Sequence, residues 1–408
     1  MARIPNPFRR FAGRDPDFAS AALEAKASQA RQMIALTTAG RPRWTPRDYQ
    51  ALAREGFARN PVAYRCVRMV AEAAASAPLV VFHKGRLAPD HPLQALLSRP
   101  NPEEAGADLM EAFFGSLQTS GNGYLEAVGQ DAPPTELYAL RPDRMRVVPG
   151  PQGWPDAFDY QAGGRAVRLT RQADGFLPVL QLKLFNPTDD YYGFSPLEAA
   201  ACAIDVHNAS AAWNKALLDN AARPSGALVY TGRSPGDRLS PDQFDRLKQE
   251  LSEAHTGAAT AGRPLLLAGG LDWKPMSLTP ADMDFIAGKA AAAREIASAF
   301  GVPPQLLGIP GDNAYANFRE ANGAFWRQTV APLAERAARA MTAWLALRFT
   351  DCVIRPDFDQ CPGLSAERER LWARLDAASF LTPQERRRMA GLESARPGDN
   401  PFSEVSNG

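Results

Sequence analysis

The sequence predicts an α+β protein assembled from several small units rather than around one doubly wound sheet. Three observations lead there. Helical stripes and period-two strand segments both occur in the first half, without the strand-helix-strand alternation of crossover units. An apolar helix pattern ending near Ala222 and another beginning at Pro280 bracket a short mixed segment, the layout of an antiparallel helix pair with a module at its tip. Proline is frequent, with 35 residues, nearly twice the average usage of ~5%, so element boundaries are abrupt.

Five helix starts share one chemistry: Thr45-Pro46-Arg47-Asp48, Ser195-Pro196-Leu197-Glu198, Ser240-Pro241-Asp242-Gln243, Thr279-Pro280-Ala281-Asp282 and Thr382-Pro383-Gln384-Glu385. The hydroxyl accepts from a free backbone N–H, proline sits where no donor is needed, and the third side chain reaches back to the cap. Leu239/Phe244 and Leu278/Met283 add possible hydrophobic staples.

Residues 1–44 form an arm. Arg3, Arg9, Arg10 and Arg14 precede no apolar core, so the arm is not a signal peptide and reads as a solvated or docking segment. Residues 45–195 mix helices near Thr45–Glu55, Pro61–Ser76 and Asp108–Thr119 with strands at Leu79–His83, Tyr124–Val128 and Met145–Val148. Leu180 to Leu184 alternate as a half-buried strand. A helix over 196–222 carries Leu197, Ala200, Ala201, Ile204, Ala211, Leu217 and Leu218, and stops at Arg223-Pro224-Ser225-Gly226. Residues 223–279 hold a strand Ala227–Tyr230, a helix from Pro241 to about Ala254, and strands Pro264–Ala268 and Leu271–Met276.

The next helix, 280–301, places Met283, Ile286, Ala290, Ala293, Ala297 and Phe300 on one stripe, with Lys289 and Arg294 off it. Gly301 ends it, and Pro303 and Pro304 forbid its continuation. Residues 302–318 form a loop that offers only Leu306 and Leu307 before the Gly308–Asn313 run, so it lacks an apolar face of its own. A long helix bearing Phe318, Phe325 and Trp326 and a strand-like Cys352–Phe358 fill 319–363. In 364–393 an amphipathic run Glu367–Ala378 precedes the Pro383 helix, and the polar tail 394–408 is expected to be disordered.

With 45% hydrophobic and 22% charged residues the chain is an ordinary globular one, and its formal net charge of +1 excludes a dominant basic surface for gripping nucleic acid. No apolar run approaches the roughly 20 residues of a membrane span. Cys66, Cys202, Cys352 and Cys361 show no CxxC spacing and read as packing positions, against a zinc site. His83, His91, His207 and His255 are scattered, none with a second His or Cys at helical ligand spacing, and read as solvated or hydrogen-bonded. No GxxxxGK[ST] phosphate loop occurs. Gly193-Phe194-Ser195-Pro196 lacks the second glycine of a nucleophile elbow, leaving Ser195 as a cap. Asp189-Asp190, Asp282-x-Asp284 and Asp357-x-Asp359 are the acidic clusters that a metal-dependent nuclease would need, with turn and helix-start roles as the competing reading. Gly121-Asn122-Gly123 reads as a turn. No catalytic residue, metal or cofactor is expected.

The order EIAxAFGVPPxLLGIPGD from Glu295, then YAN at Tyr315 and FWRQT at Phe325, resembles the portal proteins of tailed double-stranded-DNA phages, in the branch shared with long-tailed phages and gene transfer agents. So do NPVAYRCVRMVAEAAASAPLVVF from Asn60, GNGYLE from Gly121, LRPDR from Leu140, DDYYGFSP from Asp189 and RPSGALVY from Arg223. The resemblance implies a portal fold. Its wing is 45–195 together with Cys352–Phe358, its stem helices are 196–222 and 280–301, its clip is 223–279, its tunnel loop is 302–318, and its crown is 364–393. It implies a ring, dodecameric in the family, at one capsid vertex of a virion or virus-like particle. The partners implied are double-stranded DNA passing without sequence readout, a separate ATP-driven large terminase, a head-tail adaptor and the major capsid protein. Tunnel-loop residues are then Gly308, Gly311, Asp312, Asn313, Tyr315 and Asn317. Lys289 and Arg294 would line the channel, and Tyr230, Leu271, Trp273 and Lys274 would serve clip docking. The alternatives are the nuclease and a tail or capsid adaptor without a channel.

Overall fold

A computed structural model describes residues 44–129, 133–219, 226–230, 271–275, 285–309 and 315–390, with residues 240, 242, 245 and 246 besides. The arm 1–43, the tail from 391, and the expected helix at Pro241–Ala254 and strand at Pro264–Ala268 lie outside these residues or are described only in isolated positions.

The described residues open with α1 (Tyr49–Leu52), which runs into a π-helical turn, Ala53–Ala58. Thr45 is not its cap. Asp48 holds that place, its carboxylate accepting from Ala51 N at 2.9 Å. Thr45 is engaged elsewhere, its N–H and hydroxyl both donating to the Asp205 carboxylate, 160 residues away. α2 (Pro61–Ala75) is capped by Asn60 and buries Ala63, Cys66, Val67, Val70 and Ala71. It packs on α4 (Gly106–Ser120), which contributes Leu109, Met110, Phe113, Phe114 and Leu117. Alanines on one helix and phenylalanines on the other interlock at close range, and each fully buried Phe contributes about 1.5–3 kcal/mol. Between the two helices come β1 (Leu79–His83), β2 (Arg86–Leu87) and α3 (Pro92–Ser98).

The remaining strands of this region are β3 (Asn122–Val128), β4 (Glu136–Leu140), β5 (Met145–Pro149), β6 (Pro155–Ala162), β7 (Arg165–Thr170) and β8 (Val179–Lys183). They form two antiparallel sheets, ordered β4-β3-β8 and β5-β6-β7. A second apolar cluster of Tyr124, Leu140, Met145, Val147, Phe158 and Val179 joins them. The architecture is α+β, as expected.

The helix expected over 196–222 is two, α5 (Pro196–Ala199) and α6 (Ala201–Asp219), with Ala200 between them at ψ −4°. Leu197 and Ile204, on either side of the break, both close on Gly56, where a Cβ would meet Leu197 Cδ1 at 2.6 Å. The Ser195 cap is as read, its hydroxyl accepting from Glu198 N at 3.0 Å. β9 (Gly226–Tyr230) pairs antiparallel with β10 (Leu271–Pro275), bracketing the intervening segment. α7 (Phe285–Ala299) packs against α6. Next come α8 (Tyr315–Phe325), a π-helical turn at Trp326–Val330 and α9 (Ala331–Leu345). β11 (Cys352–Pro356) returns to the first region and pairs with β1, giving the sheet order β11-β1-β2. α10 (Ser365–Ala377) and α11 (Pro383–Met389) follow, and Thr382 and Glu385 form the expected capping box. No described helix is long and apolar enough to cross a membrane.

Candidate functional site

The junction between α7 and α8 is built around Gly301. Its φ of +64° ends α7, with Gly301 N donating to Ser298 O and Val302 N to Ala297 O. A Cβ there would meet Thr329 Oγ1 at 2.7 Å, and Thr329 donates that hydroxyl to Gly301 O at 2.7 Å. Thr329 belongs to the π-helical turn, so the widened turn and the end of α7 lock together. Pro304–Leu307 form a 3-10 turn closed by Gly308 at φ +68°.

The first half of this loop does have an apolar face, contrary to the sequence reading. Val302 and Ile309 are buried, and Leu306 and Leu307 pack on the main core. Tyr315 opens α8 rather than sitting in a loop, and Asn317 is an exposed residue of the same helix. Gly311, Asp312 and Asn313 lie outside the described residues. Tyr230, Leu271, Trp273 and Lys274 are placed by backbone alone, in the register Leu271 opposite Tyr230 and Trp273 opposite Leu228.

Lys289 and Arg294 on α7 are both half buried. Lys289 lies close enough to His207 on α6 to help lower that imidazole's pKa, after burial, which is the larger cause. His207 belongs to a buried polar joint: Asn60 Nδ2 lies 3.1 Å from His207 Nδ1 and donates to Asn208 Oδ1 at 3.0 Å. Since the amide N–H donates, His207 Nδ1 accepts, and the neutral ring carries its proton on Nε2.

The motifs Gly121-Asn122-Gly123 and Asp189 to Ser195 interlock. Gly121 caps α4 at φ +74°, where a Cβ would lie 2.4 Å from Gly193 O. Asn122 Oδ1 accepts from Gly193 N at 2.9 Å, and the Tyr192 hydroxyl accepts from Val147 N at 3.0 Å. The acidic clusters have local roles. Asp189 Oδ1 accepts from Tyr191 N and Tyr192 N, Asp357 from Asp359 N and the Gln360 amide, and Asp359 pairs with Arg368. Asp282 and Asp284 lie outside the described residues.

A sequence model of the phage portal protein family matches residues 61–391. The chain belongs to the phage portal protein family. It is 52% identical to a chain from the neck of a native gene transfer agent particle, computed with C12 symmetry, over 88% of this chain and 97% of that one, with a TM-score of 0.67. A protein of Rickettsia bellii is 43% identical over 85% of this chain and 90% of its own length. The probable portal protein of Streptomyces phage phiC31 is 27% identical over 76% and 69%. In this chain the interlocked glycine and tyrosine motifs hold the fold by hydrogen bonds and close backbone approach.

Two readings of single residues need correction. The histidines are not all scattered: among the described residues, His83, His91 and Cys352 bring their ligand atoms within 4.8 Å of one another. Spacing along the chain hid this, because Cys352 lies 269 and 261 residues from the two histidines. The usable signal was the strand pairing of β1 with the Cys352 segment. Nor is Cys202 a packing position: it is exposed, with Arg47 Nη2 donating to its sulfur at 3.2 Å. Cys66, Cys352 and Cys361 are buried, and burial pushes the Cys66 thiol up to about 12.

Proposed function

We propose that copies of this chain form the portal ring at one vertex of the capsid, twelve by analogy with the C12 neck of its 52%-identical relative. The observation that carries this is the family match across residues 61–391 combined with that relative's place in a particle neck. Duplex DNA enters and leaves through the ring. A conduit must hold a polymer without gripping it, and a net charge of +1, with 46 Lys and Arg balanced by 45 Asp and Glu, gives the subunit little long-range attraction for a polyanion.

On this reading 45–195 with β11 is the wing, α5–α6 and α7 are the stem, and the β9–β10 hairpin with its intervening segment is the clip. Residues 302–318 contain the tunnel loop, and α10–α11 form the crown. The clip receives the large terminase during packaging and the head-tail adaptor afterwards, while the wing faces the major capsid protein. The subunit has a mechanical role and leaves ATP hydrolysis to the terminase. The likeness to a gene transfer agent neck favours a particle of that kind. Electron microscopy of the purified protein tests the proposal: rings with a central hole are expected, and a monomer at micromolar concentration that is also absent from particle necks would sink it.

A further inference from the structure

β1 and β11 end side by side, with His83 opposite Cys352 in the register and Lys84 N donating to Asp351 O at 3.0 Å just beyond. Lys84 and Asp351 are the non-glycine residues with positive φ among the described residues, at 50° and 59°. Lys84 adopts this conformation as the first residue of the two-residue Lys84-Gly85 turn that joins β1 to β2, and aspartate is among the residues that adopt it most readily. Lys84 immediately follows His83, and Asp351 immediately precedes Cys352. α3 supplies the third member, since its N-cap residue is His91. Cys352 Sγ lies 3.5 Å from His83 Nδ1 and 3.5 Å from His91 Nε2. The two imidazoles stack at 5.4 Å between centroids, and Phe349 sets its edge against His91. The sulfur is buried while both rings are half exposed, so solvent reaches the imidazole side.

We propose that His83, His91 and Cys352 form a three-ligand site for a divalent cation of the zinc class. An ion held at ~2.3 Å from sulfur and ~2.05 Å from nitrogen with tetrahedral angles sets each sulfur–nitrogen edge at about 3.6 Å, close to both separations here. The mixed imidazole and thiolate set suits a borderline-soft ion rather than magnesium or calcium. A water completes the tetrahedron.

The protons balance as follows. Without metal, Leu93 N donates to His91 Nδ1 at 3.1 Å, so the His91 proton resides on Nε2 and points at the sulfur, and Cys352 is a thiol, as an ordinary cysteine is at neutral pH. On binding, the sulfur lone pair bonds the cation and the thiol proton leaves to solvent. His91 ligates through Nε2 by shifting its proton to Nδ1, and the Leu93 amide loses its acceptor. Each bound cation therefore releases one proton. The loss of the cap weakens the site relative to a preorganised four-ligand one. Its effect is to clip α3 and the late strand β11 to the end of β1, closing long stretches of chain.

The test uses the full chain, thiols reduced, stripped with chelator and dialysed. Cobalt(II) titration is expected to give one equivalent per chain with a sulfur-to-cobalt charge-transfer band and tetrahedral d–d bands, reversed by zinc, with one proton released per ion in weak buffer. Cys352→Ala should abolish the band, His83→Ala should weaken cobalt binding by at least about tenfold, and Cys202→Ala should change neither. At one zinc concentration, the melting temperature should rise more for the parent than for His83→Ala. Equal cobalt binding by parent and Cys352→Ala, or binding without the thiolate band, overturns the proposal. If Cys352→Ala fails to fold, the partly exposed His83 decides, and an unaltered cobalt affinity in His83→Ala overturns it equally.

Discussion

Asn60 uses every polar atom of its side chain. Its Oδ1 accepts from Val62 N and Ala63 N to cap α2, while Nδ2 serves both His207 and Asn208 across to α6. Asn208 in turn donates to Glu55 O at 2.9 Å, so three elements meet at one buried amide. Protonating His207 at Nδ1 would set two donors against each other. Burial first, and the Lys289 charge second, hold its pKa below the ordinary 6.5. The unfolded chain therefore takes up this proton first as pH falls. The stability tied to it is complete above 6.5, is lost as pH drops from 6.5 toward the folded-state value, and stays reduced below that. His91, also lowered by burial and by His83, adds loss of the same sign. The urea midpoint should fall between pH 7.5 and 5.5, and His207→Gln should shrink that fall; an unchanged fall would remove His207 as its source. At Gly121, Ala adds both a left-handed strain and a Cβ 2.4 Å from Gly193 O. Gly121→Ala should cost at least about 2 kcal/mol in urea unfolding, and a loss within 0.5 kcal/mol would contradict this contact.

Elements whose start is encoded locally were legible. Ser195 and Thr382 cap as their own sequence dictates, and β1 spans the residues read as a short strand. The failures come from competition that local sequence does not display. Thr45 has the same cap chemistry but acts as a donor to the Asp205 carboxylate, and Asp48 accepts from Ala51 N to cap α1. Strand β7 is largely exposed, β6 buries only Ala157 and Phe158, which are adjacent rather than alternating, and α3 hides behind a histidine cap. The loop after α7 was half legible. Its glycines and prolines marked the turns, but Val302 is buried in a core shared with residues distant in sequence, and Ile309 is buried as well. That burial sharpens a prediction on the proposed tunnel segment. Shortening within residues 310–314 spares Ile309 and the start of α8, so rings should assemble normally while DNA content per particle falls. Parent-level DNA content, measured by nuclease-protected nucleic acid in intact particles, would remove the loop from translocation or retention.

At the scale of the ring, the family assignment was readable from motif order, and in this chain the glycines of those segments are packing residues: Gly121, Gly193 and Gly301 lie where a Cβ would collide. What one chain hides is which surfaces face a neighbour or the axis, since those are set by symmetry and not by any one subunit's core. The charge balance still constrains the channel. Affinity for duplex rises with each phosphate neutralised and falls with salt in proportion, and a subunit of net charge +1 has little long-range attraction to offer. A ring that let DNA slide should bind a short duplex with a Kd in the ordinary non-specific range, about 10⁻⁴–10⁻⁶ M at physiological salt, with no preference among sequences. Fluorescence anisotropy on two unrelated duplexes across a salt series measures this. Nanomolar binding, or a clear preference for one sequence, would mean that the wall grips the polymer, and the conduit reading would fail on its own physics.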